Sequence, residues 1–331
     1  MRWSIFSIVD GFPGETGRGR DRYGELLDLA AAADAFGWQA IWVAEHHFSS
    51  AGVCPAPPVL LAALAQRTTR LRLGVMVSVL PFHRPIELAE QYALVDRLSH
   101  GRLELGVGSG YLPLEFEGFG IDPSTKRERF ESALAQIQAA FQGKAVRSEG
   151  DSATPVTINV LPDQRPFPPM TLAVQRREAV PFVARQRLSL ALIPYATLGS
   201  LEDLAGIIRE YRAALPEGAK GHVAAAVHVY AGARADRARS ALQRFLDTRR
   251  ATQSTFYLEK VREDPQHARA EAIEAAGWAV FGPPGEVEER LEAWKSTGVD
   301  ELLAMVDFGG LPYEDAEGTV RALGGLAAGT R

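Results

Sequence analysis

Three short polar segments carry the residue types best suited to chemistry. The first is Glu45-His46-His47-Phe48, whose imidazoles titrate near neutral pH and therefore suit proton transfer. The second is Gly106-Val107-Gly108-Ser109-Gly110, followed by Tyr111, where the glycines let a flat ligand or a phosphate approach the backbone. The third is Gln175-Arg176-Arg177-Glu178, whose arginines stand at a predicted helix start and could hold a phosphate.

The two adjacent histidines admit three interpretations. A metal site needs convergent ligands, but neighbouring residues of a strand point in opposite directions, and the sequence contains no HxH or HExxH pattern. Both rings could instead hydrogen-bond loop backbone, or one of them, His46 or His47, could line a pocket as an acid–base group. The sequence therefore predicts no metal site and leaves the last two interpretations open.

The glycine run and the arginine pair each have a plain structural alternative. Residues 106–110 match neither the GxGxxG fingerprint of dinucleotide-binding folds nor a P-loop, so an ordinary strand-to-loop turn is also consistent with them. Arg176 and Arg177 are consistent with a solvated, charged turn as well. Neither segment identifies a ligand by itself.

A regular alternation of short apolar runs with longer amphipathic segments predicts strands followed by helices. Eight such repeats in 331 residues favour an α/β fold of the (β/α)8 TIM-barrel type, built as one domain spanning residues 1–331. In such a barrel the residues that follow the strands meet at one mouth, so the three polar segments should share a site. The predicted strands are Trp3–Val9, Ala40–Ala44, Leu71–Leu80, Leu103–Val107, Thr171–Val174, Ser189–Ile193, Val223–Tyr230 and Glu301–Val306.

Two stretches interrupt this alternation and predict loop insertions. Residues 145–168, after the fourth strand, carry Pro, Ser and Asp and suggest a hairpin, whereas residues 251–276, after the seventh strand, read as an irregular loop. The first strand also delivers Asp10 and Phe12 to the predicted mouth. The tail Gly324–Arg331 is expected to fray.

Composition excludes several classes of function. Lys and Arg total 36 against 41 Asp and Glu, and the net charge of -5 argues against nucleic acid as the main partner. The single cysteine, Cys54, excludes an internal disulfide framework and suits a reducing compartment. The apolar start ends at Asp10, too early for a secretion signal, and prolines interrupt the uncharged stretch Phe48–Gln66. We therefore expect a cytoplasmic protein without a membrane span.

Taken together, the chain resembles the bacterial luciferase-like flavin-dependent monooxygenase family over nearly its whole length. The similarity is strongest in residues 38–130 and involves several motifs in the same order. The motifs are Ile41-Trp42-Val43-Ala44-Glu45-His46-His47-Phe48, the runs Leu80–Gln91 and Asp96–Gly110, Gly282-Pro283-Pro284-Gly285-Glu286-Val287, and Phe308-Gly309-Gly310-Leu311-Pro312-Tyr313-Glu314.

The resemblance implies a TIM barrel that binds FMN in its reduced form, FMNH2, across the mouth. His46 falls where the family has its catalytic histidine, with Glu45 or backbone setting its tautomer. The Met76–Val77 bond falls where several relatives have a cis peptide beneath the flavin ring. The positions that match contacts to the ring and the ribityl phosphate are Gly108, Ser109, Gly110 and Tyr111.

The activity implied by the resemblance is oxygenation of a small organic substrate by O2 through a C4a-peroxyflavin. A separate reductase would supply FMNH2, because the chain has no dinucleotide fingerprint for NAD(P)H. The resemblance also implies a homodimer that uses the region His83–Leu98 and the helix before it. It further implies a lid at residues 251–276 that excludes water from the site.

Two departures from the family concern the phosphate. Some relatives have an arginine at the position of Ser109, and many have small hydroxyl residues at 175–178. Arg176 and Arg177 are therefore expected to hold the phosphate instead, with Gln175 beside them in the cofactor site; the alternative is that the phosphate is bound weakly. Two alternative functions stay open: a hydride-transfer oxidoreductase that uses the deazaflavin F420, as in other members of the superfamily, and a flavin-binding protein without turnover.

Overall fold

The strands form because short apolar runs are buried on both faces. The computed structural model describes residues 1–11, 22–147, 154–252 and 254–329, and these ranges contain nine strands. They are β1 (Arg2–Ser7), β2 (Ala40–Val43), β3 (Arg72–Val79), β4 (Leu103–Gly108), β5 (Met170–Val174), β6 (Ser189–Leu192), β7 (Val223–Ala231), β8 (Ala279–Gly282) and β9 (Glu301–Met305).

Eight of these strands close into a parallel barrel. β1 to β6 pair in chain order, β6 pairs with β7, and β7 pairs with β9, which returns to β1. Each predicted strand corresponds to one strand of the ring, so the predicted (β/α)8 barrel is confirmed.

The ninth strand, β8, lies outside the ring, and the sequence does not predict it. The first part of β7 pairs with β9 through Ala224–His228, and its last part pairs with β8 through His228–Ala231. β8 is only four residues long, and so short an apolar run shows no periodicity that separates a strand from a helix.

Helices cover the outside of the barrel, as the alternation of apolar runs with amphipathic segments predicts. No helix of the described ranges combines the length and the apolar character that crossing a bilayer requires. The described helices are α1 (Arg22–Ala35), α2 (Pro57–Arg67), α3 (Pro85–Leu98), α4 (Pro113–Gly118), α5 (Lys126–Phe141), α6 (Val180–Arg185), α7 (Leu201–Ala214), α8 (Ala235–Ala251), α9 (Thr255–Glu263), α10 (Ala270–Ala275), α11 (Pro284–Glu292), α12 (Tyr313–Ala322) and α13 (Gly324–Ala328).

The prediction of an irregular loop at 251–276 is wrong, because α9 and α10 occupy most of that segment. α9 buries only Tyr257 of its nine residues, so the helical period of apolar residues is too weak to read. The two helices are joined by a helical turn at Pro265–Ala268.

The predictions for the tail and for the first insertion have different outcomes. The prediction that the tail frays is wrong for α13, because Ala327 is fully buried and its carbonyl accepts a hydrogen bond from Gln39 Nε2 at 3.2 Å. In the insertion at 145–168, Val146 and Val156 form one antiparallel bridge, as a hairpin would. Residues 148–153 of that insertion, like Phe12, lie outside the described residues.

A buried ionic cluster joins the strands at the end of the barrel opposite the mouth. The fully buried Glu301 carboxylate lies 3.1 Å from Trp42 Nε1, 2.8 Å from His222 Nε2 and 3.4 Å from Arg2. Burial raises the pKa of Glu301, but the hydrogen bond with His222 and the charge of Arg2 outweigh it, so the pKa is lowered. The cluster connects β1, β2, β9 and the start of β7, so we assign it to stability.

Candidate active site

A cavity of about 540 Å³ opens at the carboxyl ends of the strands, a volume that suits a small-molecule site. The predicted site residues that line it are Glu45, His46, Met76, Val77, Gly108, Ser109, Gly110, Tyr111, Gln175 and Arg176. Arg177, the remaining one, lines a neighbouring pocket of about 250 Å³ instead. The structure thus brings together side chains that lie far apart in the sequence.

His46 is held in the cavity wall by a carboxylate that the sequence did not single out. Its Nδ1 lies 2.9 Å from Glu115 Oε1, and the same oxygen accepts the backbone N–H of His47 at 3.0 Å. Glu115 belongs to the short helix α4 and is buried. Because Glu115 occupies Nδ1, Nε2 is the ring nitrogen available to a ligand.

Glu45 points away from His46 and contacts the next two histidines. Its Oε1 lies 3.0 Å from His47 Nε2 and 2.7 Å from His83 Nε2, and its Oε2 accepts hydrogen bonds from Ser78 Oγ and Val79 N, both at 3.1 Å. The expectation that Glu45 or backbone sets the tautomer of His46 is wrong, because Glu115 takes that place.

The Glu45 carboxylate is ionised although it is buried. Burial raises its pKa, but the hydrogen bonds from His47, His83 and the Val79 amide outweigh that effect and lower the pKa to about 2. His47, His83 and Glu45 form a hydrogen-bonded group. In the described ranges, no set of three or more His, Cys, Asp or Glu side chains is arranged to hold a metal ion.

The glycine run lets β4 lie close against β3, where the Met76–Val77 peptide is cis. A Cβ on Gly106 would lie 2.1 Å from the Val75 carbonyl oxygen, and one on Gly108 would lie 2.5 Å from a methyl group of Val77. The register between the two strands shifts between Val75 and Ser78. Gly106 is therefore required by the close backbone packing of the two strands, whereas Gly108 makes room for the Val77 side chain and lines the cavity as well.

The two predicted arginines differ in what they face. The Arg176 guanidinium borders the cavity, donates to both oxygens of Glu259 at 3.0 Å and stacks on Phe256 at 5.1 Å. Arg177 donates to Glu210 at 2.6 Å, in the smaller pocket.

Sequence reasoning missed three cations that line the cavity, namely Lys126, Arg127 and Arg185. Lys126 and Arg127 open α5 in the basic run Lys126-Arg127-Glu128-Arg129. A basic run at a helix start near the barrel mouth was the available signal.

The outer wall of the cavity is formed partly by the predicted lid segment. Ser254 and Phe256, at the start of α9, line the cavity beside Tyr111. The rings of Tyr111 and Phe256 are 6.0 Å apart, and Thr255 Oγ1 donates to the Tyr111 carbonyl at 3.4 Å. The lid function itself stays a prediction.

We predict that Glu45→Gln destabilises the protein more at pH 7 than at pH 3.5. The folded pKa of about 2 lies below the usual 4.5, so the ionised carboxylate stabilises the fold above pH 4.5, and this stabilisation is lost as the pH falls towards 2. The ionised carboxylate contributes about 3 kcal/mol to the free energy of unfolding at pH 7. The difference in this free energy between wild type and variant should be smaller by about 1 kcal/mol at pH 3.5. Urea unfolding at both pH values measures it, with the exposed Glu128→Gln as control. An equal gap at the two pH values would contradict the assignment.

Comparison with known proteins identifies relatives of this sequence that are named as monooxygenases. A sequence profile described as luciferase-like monooxygenase matches residues 1–301. 4-Hydroxyprotoasukamycin monooxygenase from Streptomyces nodosus subsp. asukaensis is 39% identical over 117 residues, which cover 35% of this chain and 32% of that protein. The oxygenase component of flavin-dependent trigonelline monooxygenase from Acinetobacter baylyi is 29% identical over 197 residues, 59% of this chain and 54% of that protein. The matched regions thus span less than two thirds of the relatives' own length.

A solved structure shares the fold over almost the whole chain. Monooxygenase RslO1 from Streptomyces bottropensis superposes with a TM-score of 0.81 and 26% identity, covering 98% of both chains. The profile match over most of the sequence and the common barrel lead to one conclusion. The chain belongs to the luciferase-like monooxygenase family.

Proposed function

We propose that this protein is the oxygenase component of a flavin-dependent monooxygenase, which uses FMNH2 from a separate reductase and O2 to oxygenate a small organic substrate. The observation that carries the proposal is the cavity at the barrel mouth, whose wall His46, fixed by Glu115, shares with Met76, Val77 and the glycine run. The relative named as a flavin-dependent oxygenase component supports the need for a reductase.

The residues of the cavity fit FMN. Gln175 Oε1 is buried in the wall without a hydrogen-bond partner among the described residues, so it can accept an N–H of the flavin ring. Arg176, Lys126, Arg127 and Arg185 provide cations for the phosphate. Bound reduced FMN would supply the electrons that activate O2.

His46 is proposed to hold and move the proton that the reaction requires. Its Nδ1–H donates to the Glu115 carboxylate, which fixes the ring and leaves Nε2 to exchange a proton with the ligand. The protein also excludes water, because Tyr111, Phe130, Phe182 and Phe256 line the cavity.

Binding and oxygen measurements test the proposed function. Purified protein should bind FMNH2 with a higher affinity than F420, and the FMNH2 complex should consume O2. Tight binding of F420 with hydride transfer and no O2 consumption would establish the F420 alternative. If the protein binds FMNH2 but does not change the rate at which O2 oxidises it, with or without any of the substrates tested, the protein binds flavin without turnover.

We predict that His46→Ala keeps the fold and flavin affinity but lowers turnover by about 10²–10⁴-fold, the usual contribution of a positioned acid–base group. His47→Ala is the matched variant, because the His47 ring contacts Glu45 and does not line the cavity. It should lose stability and retain turnover per folded molecule. Wild-type turnover in His46→Ala together with lost turnover in folded His47→Ala would invert the assignment.

We predict that Arg176→Ala weakens FMN binding by at least about tenfold, because a charge-assisted hydrogen bond contributes about 1.5–3 kcal/mol and 1.4 kcal/mol is one decade. Riboflavin lacks the phosphate, so its affinity should not change. Titrations of both ligands in reduced form measure the effect. Arg177→Ala is the control, since Arg177 lies in the smaller pocket. If neither variant distinguishes FMN from riboflavin, Arg176 does not hold the phosphate, and Lys126 and Arg127 are next to test.

We predict a homodimer through α2 and α3, as the resemblance implies. Val59 on α2 is 71% exposed and Leu94 on α3 is 50% exposed, so apolar side chains lie open on the proposed contact. Light scattering at micromolar concentration should give twice the monomer mass, and Leu94→Arg should shift it towards the monomer. A monomeric wild type would refute the dimer.

A further inference from the structure

The loop between β2 and α2 folds back against the side of the His46 ring that is opposite to Nδ1. A Cβ added to Gly52 would lie 2.6 Å from His46 Cδ2, 2.8 Å from its Cβ and 3.0 Å from its Cγ, so the glycine backbone is in contact with the ring. Cδ2 is bonded to Nε2, the nitrogen available to a ligand. The position of Gly52 therefore limits how far the imidazole can turn and where Nε2 points.

A side chain from a distant helix holds this loop directly before Gly52. Backbone hydrogen bonds of 2.9 and 2.8 Å anchor Ser50 and Val53 to the segment that follows β1. Between these anchors, the fully buried Ala51 accepts a hydrogen bond on its carbonyl from Arg249 Nη2 at 2.7 Å. A buried carbonyl needs such a partner, so Arg249 fixes the part of the loop that touches His46.

Arg249 is itself held firmly. It lies near the end of α8 with 2% of its surface exposed, and its guanidinium stacks on Phe245, one turn earlier, at 4.8 Å. Its charge is balanced at longer range by Asp10. A planar guanidinium that is already packed in this way loses little further freedom when it forms a hydrogen bond. Arg249 is thus a fixed support for the loop.

A second neighbour of His46 also contacts Arg249. The Tyr111 ring lies edge-on to His46, with the centroids 6.3 Å apart, and both residues line the cavity. The Tyr111 phenol lies beside the Arg249 guanidinium and the Ser254 hydroxyl. Arg249 therefore contacts two of the groups that surround the imidazole, from a place behind the cavity wall.

We propose that Arg249 is a positioning residue for His46. Through the Ala51 carbonyl and the Tyr111 phenol, it keeps the imidazole turned so that Nδ1 meets Glu115 and Nε2 faces the ligand. The inference rests on the proposed function, in which His46 moves a proton, and adds a residue that acts on the reaction only through His46. An arginine with a merely structural role would change the stability of the fold and leave the His46 ring as it is.

Nitrogen-15 NMR of the histidine rings tests the proposal without flavin or turnover, because the two ring shifts report which nitrogen carries the proton. The His46 signals are assigned by their loss in His46→Ala, and in wild type they should show the proton on Nδ1. Arg249→Met removes the donors and retains the apolar stem, so the two shifts should move towards each other as the ring samples both tautomers. The control is Arg250→Gln, an exposed neighbour that pairs with Asp247 at 3.8 Å, and it should match wild type.

Turnover, measured as for His46→Ala, supplies the second readout. Arg249→Met should lower it by about 10–100-fold and leave FMN affinity unchanged, since a displacement of about 1 Å at a reacting group can cost about 10²-fold. Arg249→Lys keeps the charge opposite Asp10 and one donor, so it should fall between the two. Gly52→Ala pushes on the same side of the ring. The double variant should therefore lose much less than the product of the two single losses.

Wild-type His46 shifts in folded Arg249→Met would overturn the proposal, whether or not turnover falls. If the methionine variant does not fold, Arg249→Lys decides: moved His46 shifts support the positioning role, and wild-type shifts contradict it. Moved shifts with full turnover would confirm that Arg249 positions the ring and would contradict the proton-transfer role of His46. Failure of the proposed function is thus seen separately from failure of this inference.

Discussion

The mouth of the barrel depends on one buried carboxylate that stays ionised. Glu45 follows β2, and its two oxygens take hydrogen bonds from the end of β3 and from two histidines, so it joins neighbouring strands where their backbone ladder ends. This fixes the side of the cavity formed by Met76 to Val79. It also leaves His46, the next residue along the chain, free to turn towards Glu115 and the ligand.

Charge is compensated differently for Glu45 and for Arg249. Four donors of the protein surround Glu45, so the folded chain satisfies this anion without help. Arg249 makes no direct ion pair within the described residues, and its charge is balanced at longer range by Asp10, which shares Arg22 with Asp307. Glu45 is therefore satisfied by direct hydrogen bonds, whereas the charge of Arg249 is compensated at longer range.

The fold was largely predictable because each barrel strand is a compact apolar run and most helices show a clear amphipathic period. The residues of the cavity followed from position, since a parallel barrel brings strand ends to one mouth. The partner of His46 did not follow, because Glu115 lies 69 residues away and meets the histidine only through the placement of a short helix. The split between Arg176 and Arg177 was equally hidden, since neighbouring side chains diverge and local spacing does not say which one turns inward.

The double pairing of β7 has a consequence for how this architecture can change. The chain leaves the end of β7, passes through α8, α9 and α10, and returns as β8 to the same strand, where the Gly232 amide bonds to the Gly282 carbonyl at 2.8 Å. The segment from α8 to β8 therefore begins and ends at the same strand, and β8 is not one of the eight strands that close the barrel. The length and sequence of this segment can therefore change while the pairing of the barrel strands is kept. Lengthening a loop whose two ends are held together costs little conformational entropy. Since this segment also supplies Ser254 and Phe256 to the wall of the cavity, changes in it can alter ligand preference without changing the strands of the barrel.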